Sequence, residues 1–265
     1  MSSSILPFRT VSGTCFGAGD ELAERDRIRS ALGYAAWRGR FAEPPNLLAP
    51  KTTPDSADRS GVALNIWTEG LDPRYTIVAT YLASRGLSLS ESAALEVIRF
   101  HSSCPFGGRR VPTMRCLVRN IITNAPTAVH RTALSTDGSK IKFDGKDRLA
   151  IGALAGGAVK LTGDADVGLA LGIGEGIETS LSLRLAPEFG ATTAVWSLIS
   201  AGGIAAFPVL TGIESLWIAV DYDTAGTKAA AACASRWRDA GREVFLVRPL
   251  TEKTDLNDLA GGRHA

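Results

Sequence analysis

Residues 169–178 read Leu-Ala-Leu-Gly-Ile-Gly-Glu-Gly-Ile-Glu, and this stretch decides the fold. An apolar, strand-like run ends there on Glu175, which stands between two glycines. A second apolar run, 216–220, ends on Asp221, and Asp223 follows two residues later. In open α/β sheets, residues just past the carboxyl ends of the strands converge on one crevice, where ligands bind. The two acidic groups are therefore predicted to meet at one edge of a sheet.

Carboxylates gathered at one place repel one another unless a cation neutralises them. Oxygen ligands without His or Cys favour Mg²⁺ or Mn²⁺ over zinc, and such an ion serves phosphoryl-transfer chemistry. The predicted catalytic and metal-binding residues are Glu175, Asp221 and Asp223. Further acidic candidates are Asp255 as a metal ligand, with Glu178 and Asp258 as secondary members. Helix capping is the alternative for the acidic residues that open a helix, because a carboxylate in a first turn interacts favourably with the helix dipole.

From residue 164 onward, strand-like and helix-like stretches alternate, which predicts a parallel sheet with right-handed crossovers. The predicted elements are strand 169–173, helix 176–186, strand 193–198, a short helix near 203–207, strand 216–220, helix 225–240 and strand 243–248. We place a domain boundary near residue 163. The predicted fold class is α/β: a C-terminal parallel-sheet domain over 164–265 follows a smaller mixed α+β domain over 61–163. Residues 1–60 are predicted to hold one helix and a proline-rich linker, loosely ordered.

The middle of the chain mixes helix and strand signals. Residues 76–85 have the pattern of a helix that ends at Gly86, and Ser90 can cap a second helix from Glu91 onward. The segments 114–122 and 128–134 alternate like strands and flank a five-residue loop, which predicts a hairpin. A further strand is predicted near 158–161.

Charge is unevenly distributed, although the net charge is only +2. Residues 97–136 contain six arginines and no acidic residue, whereas residues 164–265 contain 13 acidic side chains and 8 Lys or Arg. A basic middle before an acidic last third fits a polyanion groove beside a metal pocket, with chance clustering of solvated charge as the alternative. The predicted nucleotide- and nucleic-acid-binding residues are Arg109, Arg110, Arg131 and Lys228, because arginine forks and lysines grip phosphates.

The four cysteines and three histidines are scattered, with no C-x-x-C pair, so no zinc site is expected. Reduced thiols and a cytoplasmic location are the expectation. No apolar run approaches the length that spans a membrane, and the N-terminus lacks the pattern of a secretory signal.

With these residues in view, the stretch 169–259 resembles a Toprim domain, the catalytic module shared by topoisomerases, primases and some nucleases. In that family a Glu follows the first strand, an Asp-x-Asp follows the third, and another acid lies downstream. The matching residues here are Glu175, the pair Asp221 and Asp223, and Asp255. Three short sequence motifs resemble the Toprim branch found in primases of phages, plasmids and integrated mobile elements: Glu-Gly-Ile-Glu-Thr, Asp-Tyr-Asp-Thr-Ala-Gly and Asp-Leu-Asn-Asp. Residues 61–161 also look similar to that branch, at Ile66-Trp67, Tyr81-Leu82, Arg85-Gly86, 128–132 and 156–161.

The resemblance implies a primase-like nucleotidyltransferase of DNA replication that uses Mg²⁺ or Mn²⁺. Single-stranded DNA and nucleoside triphosphates are its implied substrates, and a separate helicase is a candidate partner. A Toprim-type nuclease and a non-catalytic DNA-binding accessory subunit stay open as alternatives, because sequence does not separate synthesis from cleavage. The chain departs from many such primases: it shows no Cys/His zinc ribbon and no G-x-x-x-x-G-K-[ST] phosphate loop.

Overall fold

The computed structural model describes residues 54–186, 188–221, 223–249 and Leu256. Contacts divide the chain into two units, residues 1–38 with 210–212 and residues 39–209 with 213–265. Every element below belongs to the second unit. The helix and most of the linker predicted before residue 54 lie outside the described residues. Both sheets fall in one unit, so the boundary near 163 stays a prediction.

The first sheet is antiparallel and carries the middle of the chain. Its strands are β1 (Ile98–Phe106), β2 (Arg109–Asn120), β3 (Pro126–Ala133) and β4 (Arg148–Gly152), paired in the order β1-β2-β3-β4, and β5 (Gly157–Ala158) pairs with the far end of β2. The predicted hairpin is confirmed, with a five-residue connection at 121–125 between β2 and β3.

A two-residue turn, Gly107-Gly108, joins β1 to β2. Both residues have positive φ, 55° and 77°, as a tight hairpin turn of this type requires. Arg109 and Arg110 are the first residues of β2, where they pair with Phe106 and Pro105.

Two helices cover opposite faces of this sheet. Helix α1 (Pro54–Thr68) packs Ala63 and Trp67 against Leu117 and Val129, which point to one face. Helix α2 (Ile77–Ser84) belongs instead to the apolar cluster that holds Met114, Cys116 and Val118 from the alternate positions of β2. The helix predicted over 76–85 is confirmed. The Thr76 hydroxyl caps it by accepting from the Val78 N–H, and Gly86 ends it at φ 68°.

The second helix predicted from Glu91 is wrong. The Ser90 hydroxyl accepts a hydrogen bond from the Ala93 N–H, as a helix cap would, but only turns follow it. Leu95 then adopts a left-handed φ of 70°. The chain then enters β1 at Ile98. This strand contains Ile98, Phe100 and Phe106, and its pairing with β2 outweighs the local helical pattern.

The second sheet is parallel and follows the predicted alternation closely. Its elements are β6 (Ala170–Gly174), α3 (Ile177–Ser182), β7 (Ala194–Ser197), α4 (Ala201–Ala206), β8 (Ser215–Ala219), α5 (Thr224–Asp239) and β9 (Glu243–Val247). The strand order is β7-β6-β8-β9, with every pair parallel. The α/β fold class is confirmed: a parallel sheet follows an antiparallel-sheet region. Helix α3 is shorter than predicted, because a 3-10 turn, Leu183–Leu185, follows it.

Residues 157–162, which we call the strap, hydrogen-bond to both sheets. At one end β5 pairs with β2. Just beyond, Val159 and Ser197 exchange backbone hydrogen bonds of 2.8 and 2.9 Å, and the Thr162 N–H donates to the Val195 carbonyl at 3.2 Å. The predicted strand near 158–161 is thus a two-residue strand followed by a bridge to β7.

Among the helices of the described ranges, none has both the length and the apolar composition needed to cross a membrane.

Candidate active site

The carboxylates that follow β6 and β8 lie together. These strands are neighbours in the sheet, with Ile173 opposite Ile218, so the chain leaves both at the same edge. Glu175 and Asp221 line one cleft that opens to solvent. Asp223 is exposed and caps α5, and its Oδ1 accepts from the Gly226 N–H at 2.7 Å.

Two glycines allow the backbone to pass closely around these carboxylates. A Cβ on Gly226 would lie 2.5 Å from the carbonyl oxygen of Asp221. A Cβ on Gly174 would lie 2.7 Å from the Ser180 hydroxyl oxygen. Real Cβ atoms essentially never approach so closely, so the glycines at the end of β6 and in the first turn of α5 help to set the positions of Glu175 and Asp221.

The three carboxylates affect one another. Burial raises the pKa of Glu175, and the negative charges of Asp221 and Asp223 raise it further, while Arg148 and the Ala201 backbone oppose the shift. A cation beside these oxygens would relieve the repulsion, and the all-oxygen donor set suits Mg²⁺ or Mn²⁺. Within the described part of the chain, no three His, Cys, Asp or Glu side chains already form a group that encloses a metal. Asp255 and Asp258 lie outside the described residues.

Glu178 takes a different position from the other acids. It lies in the first turn of α3, buried, and its Oε1 is 3.1 Å from Lys140 Nζ, while its Oε2 is 3.2 Å from Arg148 Nη2. The Tyr81 hydroxyl donates a hydrogen bond to Oε1. Burial alone would raise the pKa of Glu178, but Lys140, Arg148 and the Tyr81 hydrogen bond together lower it to about 2. The carboxylate is therefore charged and enclosed by donors.

The opposite wall of the cleft is cationic. It is lined by Arg85, His130, Lys140 and Arg148, which come from α2, β3, the β3–β4 connection and β4. Burial lowers the pKa of His130 to about 4, and Arg148 contributes to this shift, so the imidazole is neutral at pH 7. The cleft thus sets carboxylates of the parallel sheet against cations of the antiparallel sheet.

Sequence reasoning missed most of the cationic wall. Lys140 and Arg148 precede Glu175 by tens of residues, and no local motif links them to it. A faint signal existed for Arg85 and His130, which stand in the stretches similar to phage and plasmid primases.

The four predicted phosphate-binding residues lie elsewhere; all four are described, and none of them lines the cleft. Arg109 and Arg110 are exposed, with Arg109 over the Phe143 ring at 5.3 Å. Arg131 is buried on the sheet face opposite His130, and its Nη1 donates to the Pro105 carbonyl at 2.5 Å. Lys228 is exposed on α5.

Two family models match separate parts of the chain. Residues 170–264 match the family model described as the Toprim domain, and residues 57–161 match a domain of unknown function, DUF7146. The parallel-sheet region of this chain is therefore a Toprim domain. The chain is accordingly a Toprim-domain protein whose antiparallel region forms a second family match.

Solved structures of primases are distant neighbours. The primase fragment of the bacteriophage T7 primase-helicase protein is 16% identical, with 67% of each chain covered and a TM-score of 0.43. The Aquifex aeolicus primase (zinc-binding and RNA polymerase domains) is 14% identical over 91% of this chain and 66% of its own, with a TM-score of 0.47. A DNA primase domain from Pseudomonas aeruginosa is 13% identical over 77% and 75%, also at 0.47. No curated protein sequence matches the chain. Structural similarity at this level assigns no activity to the chain.

Proposed function

We propose that the protein is a primase-like nucleotidyltransferase that joins nucleotides on single-stranded DNA with the help of Mg²⁺ or Mn²⁺. One observation carries the proposal: carboxylates and cations line a single cleft. Phosphoryl transfer needs both, because the triphosphate is polyanionic and its bound metal needs oxygen ligands.

Glu175, Asp221 and Asp223 are the residues that would hold the metal. When bound, such an ion polarises phosphate oxygens and offsets the negative charge of the reacting group. The raised pKa of Glu175 supports this assignment, since its carboxylate lies within the field of two others. Asp255 stays a further proposed ligand.

The cationic wall would bind the triphosphate itself. Arg148 offers a planar fork of donors, and Lys140 and Arg85 add positive charge beside it. The neutral His130 can donate or accept a hydrogen bond without adding charge. Together these side chains would orient the phosphates so that the α-phosphorus faces the attacking hydroxyl.

The path of the single strand is proposed separately. Exposed Arg109 and Arg110 at the β1–β2 hairpin, and Lys228 on α5, are available to contact backbone phosphates without reading sequence. The burial of Arg131 supports leaving this residue out of that path. A helicase stays a proposed partner, and a cytoplasmic location is likewise proposed.

The test supplies single-stranded DNA, labelled nucleoside triphosphates and Mg²⁺ or Mn²⁺, and resolves the products on one gel. Extended or newly made chains that vanish in Asp221→Asn support nucleotidyl transfer. Shortened DNA instead would establish a Toprim-type nuclease. Binding without either product would favour an accessory DNA-binding subunit.

A further inference from the structure

We infer that Glu178 is a positioning residue, which holds Arg148 and Lys140 toward the phosphates of a bound nucleoside triphosphate and does not ligate the metal. The inference rests on the proposed nucleotidyl transfer. It adds an explanation of how the side chains of the cationic wall are held in place. Sequence reasoning had grouped Glu178 with the metal-binding acids, from which its contacts separate it.

Both oxygens of Glu178 are already occupied. Oε1 faces Lys140 Nζ at 3.1 Å and accepts from the Tyr81 hydroxyl, and Oε2 accepts from Arg148 Nη2 at 3.2 Å. The side chain is only 5% exposed. A metal ion could reach this carboxylate only by displacing two cations and a hydroxyl, whereas Glu175 and Asp221 are partly exposed.

Arg148 is held at one end and open at the other. Its side chain is 41% exposed, in contrast to the 5% of its partner. Nη2 is the atom that Glu178 holds, so Nε and Nη1 keep donors that a phosphate can use. The same guanidinium is electrostatically coupled to Glu175 and Asp221, which places it beside the proposed metal ligands. A phosphate on Arg148 would therefore lie close to a metal on those carboxylates.

The cationic wall needs an anchor because its members repel one another. Lys140, Arg85 and Arg148 all line the cleft, and Lys140 also lies 5.5 Å from the centre of the Tyr81 ring. Without a buried negative charge, the long side chains of Lys140 and Arg148 would spread into solvent and lose their common direction. Fixing them before the nucleotide arrives lowers the entropy lost on binding.

A purely structural role, in which the ion pairs only hold the two sheets together, is the competing explanation. It predicts that Glu178→Gln lowers stability and leaves the ligand affinity of the folded protein unchanged. The positioning role predicts that Glu178 affects affinity through Arg148, so that the two substitutions are not additive.

The experiment measures ATP affinity in the presence of saturating Mn²⁺, and Mn²⁺ affinity alone, by titration calorimetry on the full chain. Glu178→Gln and Arg148→Met should each weaken ATP binding by about tenfold or more, as expected for loss of an oriented charge-assisted contact. The double variant should bind ATP about as weakly as either single variant, not a further tenfold worse. Mn²⁺ affinity should stay within about twofold of wild type in both. Lys142→Met, an exposed lysine in the same connection as Lys140, should change neither value.

Two results would overturn the inference. Unchanged ATP affinity in folded Glu178→Gln would leave only the structural role, and loss of Mn²⁺ affinity in the same variant would make Glu178 a metal ligand. If Glu178→Gln does not fold, the double variant Glu178→Gln/Lys140→Met is compared with the single variant Lys140→Met. Both proteins lack the Lys140 charge, so the loss of Glu178 leaves less unpaired positive charge buried. The same tenfold loss of ATP affinity is expected there, and its absence refutes the inference. Wild-type protein that binds no ATP would instead refute the proposed function, and this inference with it.

Discussion

Gly226→Ala is the substitution that most directly tests how the fold sets the carboxylates. Gly226 lies in the first turn of α5, and a Cβ there would approach the Asp221 carbonyl oxygen to 2.5 Å and the Asp221 Cβ to 3.1 Å. Ordinary contact begins near 3.4 Å, so the helix or the loop must move by about 0.9 Å. The carbonyl is backbone and cannot rotate away as a flexible side chain would.

The expected magnitude combines two opposing effects. Overpacking of this kind costs about 1–3 kcal/mol, and replacing a helical Gly by Ala recovers up to about 1 kcal/mol. The net loss of unfolding free energy is therefore between about 0 and 3 kcal/mol, with a midrange value of about 1.5 kcal/mol. For a chain of this size the midrange value corresponds to a fall in Tm of about 3–6 °C. Because Mg²⁺ demands close to ideal ligand geometry, a shift of Asp221 should also weaken metal binding.

The assay pairs thermal unfolding without metal with Mn²⁺ titration by calorimetry. Gly202→Ala is the matched control, because Gly202 also lies in a first helical turn but the nearest atom to its added Cβ is 3.7 Å away. The control should keep wild-type Mn²⁺ affinity and should not lose stability. A Gly226→Ala protein with wild-type Tm and wild-type Mn²⁺ affinity would refute the argument that close approach at this glycine positions Asp221.

Three further outcomes are expected. Asp221→Asn or Asp223→Asn should weaken Mn²⁺ binding in calorimetry without lowering the Tm of the metal-free protein, because each removes one charge from a repulsive group; wild-type affinity would contradict this. Replacing Arg109 and Arg110 together by Ala should flatten the dependence of single-stranded DNA affinity on salt concentration, since fewer counter-ions are released. An unchanged slope would show that these two arginines do not contact the DNA. Arg115→Met should raise the unfolding free energy by about 1–4 kcal/mol in denaturant titrations, because burial of this guanidinium penalises its charge while the Cys104 thiol and the Glu69 charge oppose that penalty; destabilisation would show that these two interactions outweigh the cost of burial.

The parallel sheet could be predicted because its signals are local. Each strand is a short apolar run, and those at 170–174 and 215–219 are followed within two residues by a carboxylate and then by a glycine-containing helix start. Strand ends in such a sheet share an edge, so the proximity of Glu175 and Asp221 follows from topology without knowledge of side-chain positions.

The cationic wall could not be predicted in the same way. Lys140 lies 38 residues before its partner Glu178, and Tyr81 lies 97 residues before the same Glu178. No sequence period connects residues so far apart. The helix predicted from Glu91 onward was wrong because the short apolar run around Ile98, where β1 begins, fits either period. The pairing of β1 with β2, which decides between the two structures, is a tertiary interaction that the sequence of β1 alone does not contain.

The strap also determines how the cleft can change its width. Its bonds to β2 and to β7 join the two walls, and Ser197, the β7 residue that pairs with Val159, also donates its hydroxyl to the Glu175 carbonyl at 2.8 Å. Sliding of the two walls past each other would break backbone hydrogen bonds on both sides of the strap. The strap therefore opposes such sliding, and the hydroxyl of Ser197 ties the backbone that carries Glu175 to the same segment.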